Sequence, residues 1–249
     1  MNTSPSSLAL EAQKTGWAVG QFDAIEFMRG LPSGIADLVI TDFPYESLEK
    51  HRARGTTTRL KHSTKSSNDW FRVFPNTRIP DLIADVYRLM KPNRHAYMFC
   101  DDETSDILKP LARQVGFRYV KRLVWDKVCI GMGYHYRARY EFILFMEKGT
   151  RKLADLGLPD VLVEKRLAGK DVFPTEKPVP LMKTLVSQSA LPNELVVDPF
   201  CGSGSVGVAA RAEGCKFLGN DIDEKAVNWT KRRLMGGPED HAPEADASV

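Results

Sequence analysis

The chain has 249 residues, 43% of them hydrophobic, and a formal net charge of +3. That length suits one large domain with a sizeable core, and so mild a charge does not by itself announce a polyanionic partner. Four scattered cysteines without a C-x-x-C pair and five histidines without zinc spacing suggest reduced thiols and no metal. The N-terminus lacks the basic start and apolar core of a signal peptide, and no apolar run reaches the roughly 18 residues of a membrane span. A soluble cytoplasmic protein is expected.

In chain order, residues 1–14 read as a frayed, disordered N-terminus. Strands are expected at 17–22 and 36–41, from short Val/Ile/Phe-rich runs. Residues 46–79 carry eight Lys/Arg against three Asp/Glu with no helical or strand period, the pattern of a mobile basic loop. In 80–92, Leu82, Ile83, Val86, Tyr87 and Met90 share a helix face, with Asp81 as cap and Pro92 as stop. A strand at 94–100, a helix at 104–117 and strands at 118–126 and 140–146 follow. Polar residues 147–172 suggest a small helical excursion. A helix at 179–190, strands at 194–198 and 216–220, and a helix at 223–234 complete the domain, expected to span 15–235. The tail 236–249 is acidic and reads as disordered. Alternating strands and helices predict an α/β fold with a mostly parallel sheet covered by helices on both faces.

Two strand ends stand out. The strand 36–41 runs into Asp42-Phe43-Pro44-Tyr45. Asp42 can accept a hydrogen bond from an amine, the Phe43 carbonyl can accept another, Pro44 stiffens the turn and Tyr45 offers a flat face. Together they suit a planar aromatic amine, whose delocalised lone pair would be freed by two acceptors on its hydrogens. A rigid loop with Asp42 as a cap and Tyr45 packed inside is the structural alternative. The second strand end, "ELVVDPFCGSGSVGVAARAEG", is a strand, a glycine turn and a helix. Gly202, Gly204 and Gly207 satisfy G-x-G-x-x-G, and Asp221 closes the next strand, where it can bind ribose hydroxyls. A nucleotide-like ligand is implied; a packing turn is the alternative. Only about 45 residues follow the turn, so the nucleotide half comes last, unlike a dehydrogenase. Cys201 reads as a small packed residue rather than a nucleophile.

The Asp-Phe-Pro-Tyr tetrad resembles the catalytic Asp-Pro-Pro-Tyr motif of DNA amino-methyltransferases that use S-adenosylmethionine, and "DPFCGSG" resembles their Phe-x-Gly-x-Gly cofactor motif. Catalytic motif first and cofactor motif last is the order of their β group. "FPTEKPVPLMKTLV" is similar to the segment before the cofactor motif, and "VWDK…GYHYRARYEFILF" to the strand pair between the halves. The resemblance covers roughly residues 17–235.

It implies a Rossmann-like methyltransferase fold with circularly permuted motif order. It implies that Asp42, Phe43, Pro44 and Tyr45 form the amine site, Tyr45 stacking on a flipped base. Phe200, Gly202 and Gly204 would line the cofactor, Asp198 would lie at its methionine end, Asp221 would bind its ribose and Asp23 its adenine, while Thr175 and Lys177 would reach its carboxylate. Phe43 replaces a proline, a change expected to be harmless because only its carbonyl is used. Phe173 replaces a common histidine, and Glu176 a glutamine.

Flipping a base from duplex DNA costs a few kcal/mol, which phosphate contacts can offset. Arg52, Arg54, Arg59, Lys61 and Lys65, with Tyr134, Tyr136, Arg137 and Arg139, are the expected DNA contacts, and 147–172 a short recognition region. The reaction implied is methyl transfer to the 6-amino group of adenine in double-stranded DNA, as in restriction–modification systems. An initial Asp in the tetrad is more typical of adenine enzymes in that family. Cytosine 4-amino methylation needs nearly the same site. An RNA or protein-amide methyltransferase and a non-catalytic nucleotide-binding regulator are the more distant alternatives. Monomer and homodimer are both open.

Overall fold

The computed structural model describes residues 4–46, 73–131, 135–167 and 176–236. Their frame is an eight-stranded sheet: β1 (Trp17–Gln21), β2 (Ala36–Thr41), β3 (Met90–Cys100), β4 (Arg118–Asp126), β5 (Tyr140–Lys148), β6 (Val161–Val163), β7 (Leu195–Asp198) and β8 (Lys216–Asp221), in the order β1-β8-β7-β2-β3-β5-β4-β6. β5 runs against its neighbours β3 and β4, and every other pairing is parallel. The α/β class and the mostly parallel sheet are therefore as expected.

The period-2 alternation of the strands splits the core into two layers. Val39, Ala96, Met98, Val197 and Leu218 face one side, under helices α1 (Pro5–Thr15), α2 (Ala24–Arg29), α3 (Ile79–Leu89) and α4 (Asp102–Val115). Leu38, Ile40, Phe99, Val196 and Phe217 face the other, under α5 (Val179–Ser189), α6 (Ser205–Ala212) and α7 (Glu224–Leu234). β2 is buried along its whole length, which is why it reads as a continuous apolar run.

The strand order places the site. After β2 the chain moves outward to β3, and after β7 it moves the opposite way to β8. The adjacent carboxyl ends of β2 and β7 are thus the switch point of the sheet, where ligands bind in doubly wound folds. Leu38 and Val39 pair in register with Val196 and Val197, so the Asp42 loop and the glycine loop leave the sheet side by side.

Several expectations need correction. Residues 1–14 were expected to fray, but Pro5–Thr15 form α1: Ser4 and Ser7 make a reciprocal capping box, Pro5 sits in the first turn, and Gly16 ends the helix at φ 90°. α3 begins at Ile79, before the expected Asp81 cap, and no side chain caps it. Within 147–172, the described residues form β6 instead of a helix, paired with β4. Of the basic loop, residues 47–72 lie outside the described residues, as does the tail from 237; its last residues, Asn76–Arg78, make a 3-10 turn leading into α3. Among the described residues no helix is long and apolar enough to cross a membrane.

At the opposite edge of the sheet, the buried Asp37, second residue of β2, holds Lys91 at 2.7 Å, Arg94 at 2.9 Å and the Leu195 amide at 3.0 Å. Burial alone would raise its pKa, but these donors hold it below the usual carboxylate range. The network ties β2, β3 and β7 together behind the site.

Candidate active site

Asp42 follows the last residue of β2. Its Oδ2 receives the ammonium of Lys177, which comes from the segment just before α5. The same ammonium lies 3.3 Å from Glu141 at the start of β5 and over the rings of Phe99 (5.3 Å) and Trp125 (5.9 Å). Glu141 in turn accepts from Lys127 at 3.2 Å. Two carboxylates and two ammoniums therefore alternate across the site. Asp42 keeps 28% of its side-chain surface exposed and Lys177 only 12%, so a ligand meets the acid first.

Burial pushes the Asp42 carboxyl up despite Lys177. Glu141, between two ammoniums, is held low against its burial. Burial would lower Lys177, but its two carboxylates hold it above the ordinary lysine value. The ammonium thus faces Asp42, away from the role expected for it at a cofactor carboxylate.

Phe43 is 1% exposed, and its ring is the centre of an aromatic cluster. Tyr45 lies 6.0 Å away edge-on, Phe74 5.7 Å and Phe200 6.1 Å, with Phe74 and Phe200 5.3 Å apart. The cluster joins the Asp42 loop to the glycine loop, so the Phe43 side chain is structural and the expectation that only its carbonyl counts is revised. The Phe74 amide donates to the Pro44 carbonyl at 2.6 Å, pinning the segment before α3 across the tetrad. Tyr45 is 7% exposed inside this cluster, and burial first, then nearby carboxylates, drives its hydroxyl pKa up. It presents little of the open face that stacking on a base requires.

The glycine loop is built for close approach. Gly202 donates its amide to Asp221 at 2.9 Å, and the Asp223 amide donates to the other oxygen of Asp221 at 2.9 Å. Gly204 has φ 81°, and a Cβ there would meet Thr230 at 2.7 Å. At Gly207 a Cβ would strike the Phe217 ring at 2.6 Å, so this third glycine serves helix–sheet packing. Asp198 ends β7 and accepts from the Phe200 amide at 3.1 Å. Its burial, with Asp42 and Asp221 nearby, pushes its pKa up to about 8. A cationic group would relieve that cost, which fits the α-amino group of an amino-acid-bearing cofactor.

Asp23, at the carboxyl end of β1, caps α2 through the Ile25 amide and holds Arg78 at 2.6 and 2.8 Å. Hydrogen bonding to Arg78 keeps its pKa below the usual range. Arg78 lies over Phe74 at 5.1 Å, so the acid expected at the adenine is also tied to the aromatic cluster.

Among the expected DNA contacts, Arg52, Arg54, Arg59, Lys61, Lys65 and Tyr134 lie outside the described residues, as does Thr175 of the cofactor set. Tyr136 is fully exposed. Arg137 is exposed, while Arg139 makes a bidentate pair with Asp126 at 2.6 and 2.8 Å. Among the described residues no cluster of metal-ligating side chains occurs. Glu141, Lys127, Trp125 and Phe74 were not anticipated. The one available signal was a glutamate opening an otherwise apolar strand, "YEFILFM".

Fold and site define a doubly wound α/β protein with the Asp42 loop and a glycine loop side by side at the switch point. A family model for DNA methylases, the N6/N4 methyltransferases, matches residues 36–161 and 158–232, and the chain belongs to that family. It is similar to the YubD protein of Escherichia coli (strain K12), 30% identical over 214 residues that cover 86% of this chain and 88% of YubD. It is also similar to the DNA adenine methyltransferase YhdJ of the same organism, 24% identical over 250 residues, 85% of this chain and 80% of YhdJ. Among solved structures, the M1.HpyAVI–SAM complex superposes with a TM-score of 0.61 at 19% identity, covering 88% of this chain and 98% of that one.

Proposed function

We propose that this protein transfers a methyl group from S-adenosylmethionine to the 6-amino group of adenine in double-stranded DNA. The observation that carries the reading is the juxtaposition, at one switch point, of the partly exposed Asp42 carboxylate with a glycine loop flanked by the buried Asp198 and half-buried Asp221 carboxyls. Family membership supports DNA amine methylation, and the likeness to YhdJ supports adenine.

Asp198 would take the cofactor's α-amino group, Asp221 its ribose hydroxyls, and Gly202 and Gly204 allow the backbone approach that Phe200 flanks. Asp23 and Thr175 remain assigned to the adenine and the carboxylate. When bound, the cofactor would supply an electrophilic methyl group, with a neutral thioether as the leaving group. Asp42 and the Phe43 carbonyl accept from the two N–H groups of the target amine, drawing its lone pair out of the ring system. Pro44 fixes the turn that holds both acceptors, and the aromatic cluster keeps water from the buried side of the loop. The nitrogen is positive until it releases a proton to water, and the negative Asp42 stabilises that charge. Arg52, Arg54, Arg59, Lys61 and Lys65 grip phosphates and offset the cost of flipping the base, with Tyr134, Tyr136 and Arg137 beside the duplex; Arg139 acts through its pair with Asp126.

The test is to incubate unmethylated duplex DNA with the protein and S-adenosylmethionine, digest to nucleosides and weigh them. N6-methyldeoxyadenosine is expected. N4-methyldeoxycytidine as sole product would overturn the base assignment and leave the amine chemistry standing.

A second expected outcome follows from Asp198. With a pKa of about 8 it is mostly protonated at pH 7, and pairing with a cationic amino group requires it to ionise. Binding the cofactor at pH 7 should therefore release a proton, seen in calorimetry as a heat that varies with the buffer's ionisation enthalpy. Asp198→Asn should remove that dependence. A buffer-independent heat in the wild type would contradict the assignment.

A further inference from the structure

We propose that Glu141 is a positioning residue for amine methylation, sharing the Lys177 ammonium with Asp42 so that Asp42 keeps acceptor capacity for the target amine. The inference rests on the reading of Asp42 as the amine acceptor. Glu141 sits where β5 reaches the carboxyl edge of the sheet, opposite Trp125 and one residue before Phe142, which pairs with Cys100 at the end of β3. From Phe142 to Met146 the strand is wholly buried and apolar. A half-buried carboxylate at such a place needs partners for its charge, and it has two, Lys127 and Lys177.

Lys177 seated on Asp42 would work against the reaction in two ways. It occupies part of the carboxylate that must accept from the amine, and it sets a positive charge beside a nitrogen that becomes positive as the methyl arrives. Glu141 opposes both effects. It draws on the same ammonium from 3.3 Å, and its negative charge cancels that of Lys177 as seen from the amine. Phe99 and Trp125 hold the ammonium where both acids reach it. Lys127 completes the alternation, so the four groups together carry no net charge.

Glu141→Gln keeps the shape and removes the charge. The expected result is a fall in kcat of about tenfold or more, with cofactor affinity nearly unchanged. Removing a negative neighbour must also move the Asp42 titration to lower pH, read by carboxyl NMR in aspartate-labelled protein, with Asp42 assigned by its loss in Asp42→Asn. Glu141→Asp should recover part of kcat. A Glu141→Gln variant with wild-type kcat, or one that loses kcat while the Asp42 titration stays in place, would overturn the inference. Wild-type turnover by Asp42→Ala would instead overturn the amine-acceptor reading itself.

Discussion

Asp42→Ala is expected to reduce methyl transfer by about a thousandfold or more while cofactor affinity changes little. The carboxylate is the most exposed member of the half-buried charge group, and most of the groups assigned to the cofactor lie on the neighbouring loop after β7 or at the end of β8. Losing Asp42 removes one of two acceptors for the amine and leaves the Lys177 ammonium facing the target with only Glu141 to balance it. Both consequences raise the barrier without touching Gly202, Gly204 or Asp221. Turnover on duplex DNA and equilibrium binding of S-adenosylmethionine, measured on the same preparation, separate the two effects. Near-normal turnover would remove Asp42 from the chemistry, and an equal loss of both would make it part of the cofactor site.

The second large effect concerns Phe43. Its ring is 1% exposed and touches Tyr45, Phe74 and Phe200, so truncation to Ala should cost about 3 kcal/mol or more of stability. Phe43→Pro would restore the tetrad typical of the family and keep the carbonyl. Even so, a proline ring is too short to reach Phe74 and Phe200, and most of that loss should persist. Because the cluster joins the Asp42 loop to the glycine loop, cofactor affinity should fall along with stability. Urea denaturation and cofactor titration of Phe43→Pro check this. A variant as stable as the wild type would return Phe43 to the role of a mere carbonyl donor.

The difference between that expectation and the simpler one shows what a linear sequence conveys. Seven of the eight strands were legible, most of them as short apolar runs whose alternate residues meet different helix layers, as Leu38 and Val39 do, whereas β6, three residues within a polar stretch, was not. The switch-point loops were legible because a carboxylate, a proline and glycines have few structural reasons to end two buried strands. Contacts between distant segments were not. Lys177 reaches Asp42 across 135 residues, and nothing in the "PTEKP" pattern says which acid it will meet. The Phe43 cluster needs Phe74, which sits at the end of a segment without periodicity. α1 was missed for a local reason: Ser4, Pro5 and Ser7 form a good helix start, but in a Ser-rich terminus their composition reads as disorder.

The most direct test of the central claim is label transfer. Duplex DNA is incubated with S-adenosylmethionine carrying a labelled methyl group and either the wild type or Asp42→Asn, and the position of label is found in the digested nucleosides. Label is expected on an exocyclic amine nitrogen with the wild type and essentially none with Asp42→Asn, although the variant still binds the cofactor. Label at a ring carbon, equal transfer by the two proteins, or label entering only RNA or protein in parallel reactions would contradict it.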